Sequence, residues 1–278
     1  MLRPGYPSRL RRAPSSVSLM AGLWGVLLVL ASGCGRGQTP TESNGLAETR
    51  RGEAREAPRP AEVIDALFLG TGPLIPRDGL TRCPTQAIWS GYPRGTAVRV
   101  RLGSRVPAGL RETLEAAVAP LSDATGGALV ATIEPTADPD PQPGVNEVTV
   151  TEAARPRSAG CSSDAGCVEY RFAGRGLLMG ARVIGPPGRS FGEYVRDTVG
   201  HATLGLCRID ARLIGGPENS LMSSGPERDA GAAPGLTGLD LEAIRAVYAS
   251  SLNPGAPRSA FLAARLVNLQ AGQLPRPR

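Results

Sequence analysis

The residues with the clearest chemical potential are a carboxylate, an imidazole and a thiol within and just after one predicted helix. Asp197 and His201 are four residues apart, and Cys207 follows six residues later. His201 is the single histidine of the 278-residue chain. Side chains at i and i+4 share a helix face, and carboxylate, imidazole and thiolate groups are all zinc ligands. The spacing therefore identifies these three residues as candidate metal ligands, with Asp210 as a spare carboxylate.

The same helix face allows two interpretations without a metal. Glu193, Asp197 and His201, at i, i+4 and i+8, would form a polar ridge suited to metal-free acid-base chemistry. A simpler interpretation, which we favour, is a solvated or cleft-facing ridge with a hydrogen-bonded histidine. The opposite side carries an apolar stripe that packs the helix in every case, namely Phe191, Val195, Val199, Ala202 and Leu206.

Composition excludes several other kinds of chemistry. The chain contains no lysine, which excludes Schiff-base chemistry and a phosphate-loop lysine. The serines after the helix lack the strand-turn-helix elbow of a serine hydrolase. The net charge of +6 falls to +2 once the four arginines of the first 33 residues are removed, and no basic stripe with interleaved aromatics remains. We therefore expect no nucleic-acid partner.

The N-terminal part of the chain predicts export and a membrane anchor. Residues 1–33 combine a basic start with a short apolar run, Leu19 to Leu30, as bacterial signal peptides do. Cys34 follows shortly after this run, at the position of the lipid-modified cysteine of a lipoprotein. The alternative is an ordinary secretory signal. Residues 34–60 are rich in charge, Pro and Gly and predict a disordered tether. We expect a lipid-anchored protein on the periplasmic or outer face of a bacterial cell envelope.

Four further cysteines predict disulfides, because an even number in an exported protein favours pairing over reactive thiols. The short loop between Cys161 and Cys167 would allow those two to pair. Cys83 would then pair with Cys207 by elimination. That pairing would remove the thiolate from the candidate metal site.

The periodicity of residues 61–255 predicts one α+β domain. After an irregular lead-in, strands are predicted from Ala97, at Ala128 to Ile133, at Val148 to Val150, at Val168 to Phe172 and at Leu177 to Ile184. A helix is predicted from Pro107 to Leu121, between the first two strands. Ser190 and Glu193 form a capping box for the central helix, and Thr237 caps a later one. Residues 256–278 are a tail with one short amphipathic helix.

From Ala97 to Ser251 this order of elements resembles the metzincins, zinc metalloproteases with the signature HExxHxxGxxH and a methionine turn. Asn219 to Ser223 sits where matrixins place that turn, which assigns Met222 to it. The resemblance implies a zincin-like fold, in which a mixed five-stranded sheet carries a backing helix and an active-site-type helix. If His201 matches the second ligand, Asp197 replaces the first and Cys207 falls at the spacing of the third. Thr198 then replaces the catalytic glutamate, so no catalytic residue is assigned.

The resemblance and its gaps together predict a degenerate, inactive metallopeptidase domain. Family members pair extended peptides with an edge strand, which here implies peptide or protein binding along Val168 to Phe172. We expect a monomer without a cofactor. Zinc is the only cofactor that the candidate ligands would accept. The alternatives are an active zinc metallopeptidase with a non-standard Asp197, His201 and Cys207 site, and a purely structural envelope lipoprotein.

Overall fold

The structure, a computed structural model, describes residues 60–71, 87–153, 166–210, 214, 219–224 and 235–267. The predicted signal, the lipidation site Cys34, the tether and the cysteines Cys83 and Cys161 lie outside these ranges. Among the helices within them, none combines the length and the apolar character needed to span a bilayer.

A mixed five-stranded sheet forms the centre of the domain. Its strands are β1 (Thr96–Leu102), β2 (Leu129–Pro135), β3 (Glu147–Glu152), β4 (Cys167–Phe172) and β5 (Leu178–Gly185). Their order is β2-β1-β3-β5-β4, with β4 antiparallel to β5 and the other pairs parallel. The predicted α+β class with a mixed five-stranded sheet is confirmed.

Alternation along β1 explains which face of the sheet is covered. Val98, Val100 and Leu102 are buried, while Arg99 lies on the other face and bonds Glu147 at 2.6 Å. Helix α2 (Leu110–Val118) packs its buried face against this core. The single helix predicted from Pro107 to Leu121 is divided, because Pro120 has no N–H for the helical ladder. A short helix, α3 (Leu121–Ala124), follows it.

Two terminal segments join the core. The supposed irregular lead-in begins with a helix, α1 (Pro60–Leu69), whose apolar run is buried. The short helix predicted in the tail is α6 (Arg258–Ala263), and its Phe261 is fully buried. Trp89 joins both, with ring centroids 6.0 Å from Phe68 of α1 and 6.0 Å from Phe261. The core therefore extends past the predicted boundary at residue 255.

The remaining elements close the domain around the central helix. That helix consists of α4 (Phe191–Val195) and a π-helical segment (Arg196–Thr203). Two short strands, β6 (Ile209–Asp210) and β7 (Ser223–Ser224), pair in parallel after it. Helix α5 (Gly238–Ala249) begins at a capping box of Thr237 and Asp240, as predicted for its N-cap.

Candidate functional site

The central helix begins as the sequence predicts and then widens. The Ser190 side chain accepts a hydrogen bond from the backbone N–H of Glu193 at 3.3 Å, which completes the predicted capping box. From Arg196 the backbone bonds span five residues, as in the bond from Leu204 N–H to the Val199 carbonyl at 3.0 Å. Such π-helical turns are rare and often occur at functional sites. This segment carries Asp197, Thr198 and His201.

Asp197 is fully buried and paired with an arginine from outside the helix. Arg189 Nη2 donates to Asp197 Oδ2 at 2.6 Å, and both side chains are almost completely excluded from solvent. Arg196 Nε lies 4.0 Å from the other carboxylate oxygen. Burial opposes ionisation, but Arg189, His201 and Arg196 overcome it and lower the pKa of Asp197 to about 2. The carboxylate is therefore an ionised member of a buried charge network.

His201 is fully buried beside this carboxylate. Its Nδ1–H donates to the Leu206 carbonyl at 2.7 Å, because a carbonyl oxygen only accepts. Its Nε2 lies 4.0 Å from Asp197 Oδ1. Burial lowers the pKa of His201 to about 4, and it outweighs the opposing effect of Asp197. The ring is thus neutral at pH 7, and its unprotonated Nε2 lies beside the carboxylate.

The polar ridge favoured from the sequence is buried and not solvated. Asp197 and His201 have no exposed surface, and only Glu193 remains partly exposed. The reason is Arg189, whose guanidinium compensates the charge that would otherwise require water. Arg189 is the residue that sequence reasoning missed. It precedes the Ser190 N-cap, four residues before Glu193 and eight before Asp197, so it continues the spacing of the ridge toward the N-terminus.

The candidate metal ligands come together only in part. Asp197 and His201 approach each other, whereas Cys207 is disulfide-bonded and its sulfur is no longer a thiolate. Asp210 lies beyond them in β6. In the described ranges, no group of three histidine, cysteine, aspartate or glutamate residues is arranged to hold a metal ion. With two arginines beside Asp197, this donor set does not fit a zinc ion.

Cys167 in β4 is also disulfide-bonded. The predicted pairings involve Cys83 and Cys161, which lie outside the described residues, so they stay predictions.

Met222 lies directly against the π-helical segment. It is fully buried, and a methyl group at Gly200 would overlap its sulfur. Asp240 of α5 holds the turn in place: it accepts hydrogen bonds from Leu221 N–H at 2.7 Å and from the Ser220 hydroxyl at 2.5 Å. The loop is therefore fixed against the π-helical segment by the start of the following helix.

Strand β4 forms one edge of the sheet and carries exposed aromatic and basic side chains. The Tyr170 and Phe172 rings stack with centroids 5.9 Å apart, and Phe172 is 37% exposed. On the opposite face, Arg171 and Arg182 line an open depression of about 270 Å³. Glu169 lies 3.6 Å from Arg182 there. An extended chain beside β4 would meet aromatic surface on one side and arginine on the other.

No protein-family model, curated protein or solved structure matches the chain.

Proposed function

We propose that this protein is a cell-envelope lipoprotein whose zincin-like domain is catalytically inactive and binds an extended peptide or protein segment along β4. The resemblance is supported by the mixed sheet, the capped central helix with its buried histidine, and Met222 against that helix. The anchor at Cys34 rests on the sequence alone.

The buried Arg189–Asp197 ion pair carries the proposal of inactivity. At 2.6 Å the guanidinium supplies the positive charge that a metal ion would otherwise give to this carboxylate. The position of the family's catalytic glutamate is Thr198, which is also fully buried. Without a carboxylate base and three free ligands, activation of a water molecule for peptide hydrolysis has no chemical basis here.

Peptide binding follows from the chemistry of β4. Edge strands bind extended peptides through main-chain hydrogen bonds, and alternate side chains provide specificity. Apolar side chains of the peptide would contact Tyr170 and Phe172, while the intervening acidic ones would face Arg171. We therefore expect selection of segments in which apolar and acidic residues alternate.

Metal analysis and a proteolysis assay test the inactivity of the purified mature protein. We expect no bound zinc and no cleavage of casein, before or after addition of zinc. Stoichiometric zinc that is lost in His201→Ala, together with cleavage, would instead establish the active metallopeptidase.

Selection from a random decapeptide library tests the binding surface. Phe172→Ala and Arg171→Glu should each lower the affinity of selected peptides at least tenfold. Val130→Ala is the matched control, because Val130 is 40% exposed on β2 at the opposite edge of the sheet. Failure to select any peptide, or equal losses in the control, would refute the β4 surface and favour a structural lipoprotein.

A further inference from the structure

Two buried polar atoms face each other along the central helix. Asp197 Oδ1 lies 4.0 Å from His201 Nε2. Both are buried, and neither has a hydrogen-bond partner among the described residues. Buried polar groups are nearly always hydrogen-bonded, since an unpaired one is costly. The two atoms therefore require a partner, and their separation lets them share one.

The hydrogen-bonding roles of these atoms specify the partner. A carboxylate oxygen is an acceptor. His201 Nε2 is also an acceptor, because the single proton of the neutral ring is on Nδ1, where it bonds to Leu206. A partner shared by the two acceptors must therefore donate two hydrogen bonds. A water molecule does this, and buried waters make about three hydrogen bonds on average.

The spacing suits a water molecule better than a metal ion. Two hydrogen bonds of about 2.8 Å span 4.0 Å when they meet at roughly 90°. Zinc bonds of about 2.0–2.1 Å at a tetrahedral angle would place the oxygen and nitrogen roughly 3.3 Å apart.

The surrounding charge disfavours any cation. The carboxylates of Asp197 and Glu193 are matched by the guanidinium groups of Arg189 and Arg196. Arg208 adds a further positive charge that acts on His201. A divalent cation would enter a cluster that is already positively charged, whereas a neutral ligand adds no charge.

We propose that Asp197 Oδ1 and His201 Nε2 bind one long-lived water molecule that bridges the carboxylate and the imidazole. The inference stands on these contacts and does not depend on peptide binding at β4. The ligand of these buried polar atoms is then a water molecule and not a metal ion.

The single histidine makes the site directly observable by NMR in the full chain. A water bound to Nε2 lies close to both carbon-bound ring protons, Hε1 and Hδ2. We expect water cross-peaks of the sign that marks a long-lived complex at both protons, and none at the methyl groups of Leu114, which are equally buried. Absence of the cross-peaks at His201 would overturn the proposal.

A variant and a metal titration exclude two other sources of the signal. Thr198→Val removes the buried hydroxyl that follows Asp197 in the sequence while keeping its shape, and the cross-peaks should persist; their loss would assign them to hydroxyl exchange and refute the water. Equimolar zinc chloride, added to EDTA-treated protein, should leave the imidazole nitrogen resonances unchanged. A zinc-dependent shift of Nε2 with loss of the water signal would establish a metal site instead.

Discussion

The buried imidazole of His201 should make the stability of the protein depend on pH within a narrow range. The ring is neutral in the folded protein, where its pKa is lowered to about 4. In the unfolded chain its pKa returns to the ordinary histidine value of about 6.5. As the pH falls below 6.5, the unfolded state takes up a proton that the folded state does not. The free energy of unfolding therefore decreases from pH 6.5 down to about pH 4.

The size of this effect follows from the difference in pKa. Each unit corresponds to about 1.4 kcal/mol, so the full lowering from 6.5 to about 4 is worth about 3 kcal/mol. At pH 5, roughly 1.5 units below the unfolded pKa, about 2 kcal/mol of this should already be lost. Asp197 contributes little in this range, since its folded pKa is about 2 and its loss of stability occurs at lower pH.

Denaturant unfolding at pH 7 and pH 5, with the disulfides intact, measures the loss. His201→Gln is the control, because it removes the only histidine and should abolish most of the difference between the two pH values. An NMR titration of the single imidazole provides an independent check that does not need the variant to fold. A folded midpoint near 6.5, or equal stability at both pH values, would refute the assignment of a buried neutral ring.

Three further predictions concern the elements around this helix, and denaturant unfolding measures each. Arg189→Met should cost about 3–5 kcal/mol by leaving Asp197 buried and unpaired, whereas Arg189→Met with Asp197→Leu should cost less. Gly200→Ala should cost about 1–3 kcal/mol through its overlap with the sulfur of Met222, and Met222→Ala in the same chain should relieve part of that cost. Asp240→Ala should cost about 1–3 kcal/mol, because a backbone N–H of the Met222 turn loses its acceptor. Additive effects in either double variant, or an unchanged Asp240→Ala protein, would contradict these contacts.

Local sequence rules predicted the elements that have local causes. The alternation of Val98, Arg99 and Val100 was sufficient for a half-buried strand, and Ser190 with Glu193 was sufficient for a helix start. Both signals involve residues a few positions apart, where strand pleating or a single hydrogen bond decides the outcome.

Features that depend on contacts between distant residues were not predictable in this way. The helix α1 was missed because its apolar run is too short to show helical periodicity; its Phe68 packs against Trp89, which also contacts Phe261. The prediction that the polar ridge is solvated was wrong, because Asp197 is paired with Arg189, which lies in the loop before the helix. The spacing of Arg189 and Asp197 alone does not show that their side chains pair.

The Arg189–Asp197 pair links the fold of the helix to the proposed function. A carboxylate buried without a partner would be protonated or would need a cation from solution. Here the chain supplies the cation itself, and Asp240 hydrogen-bonds the loop that packs Met222 against the helix. Protein groups alone therefore account for the buried carboxylate and for the position of this loop. A helix held by these protein contacts leaves β4 available to a partner. We therefore look for the function at this edge of the sheet and not at His201.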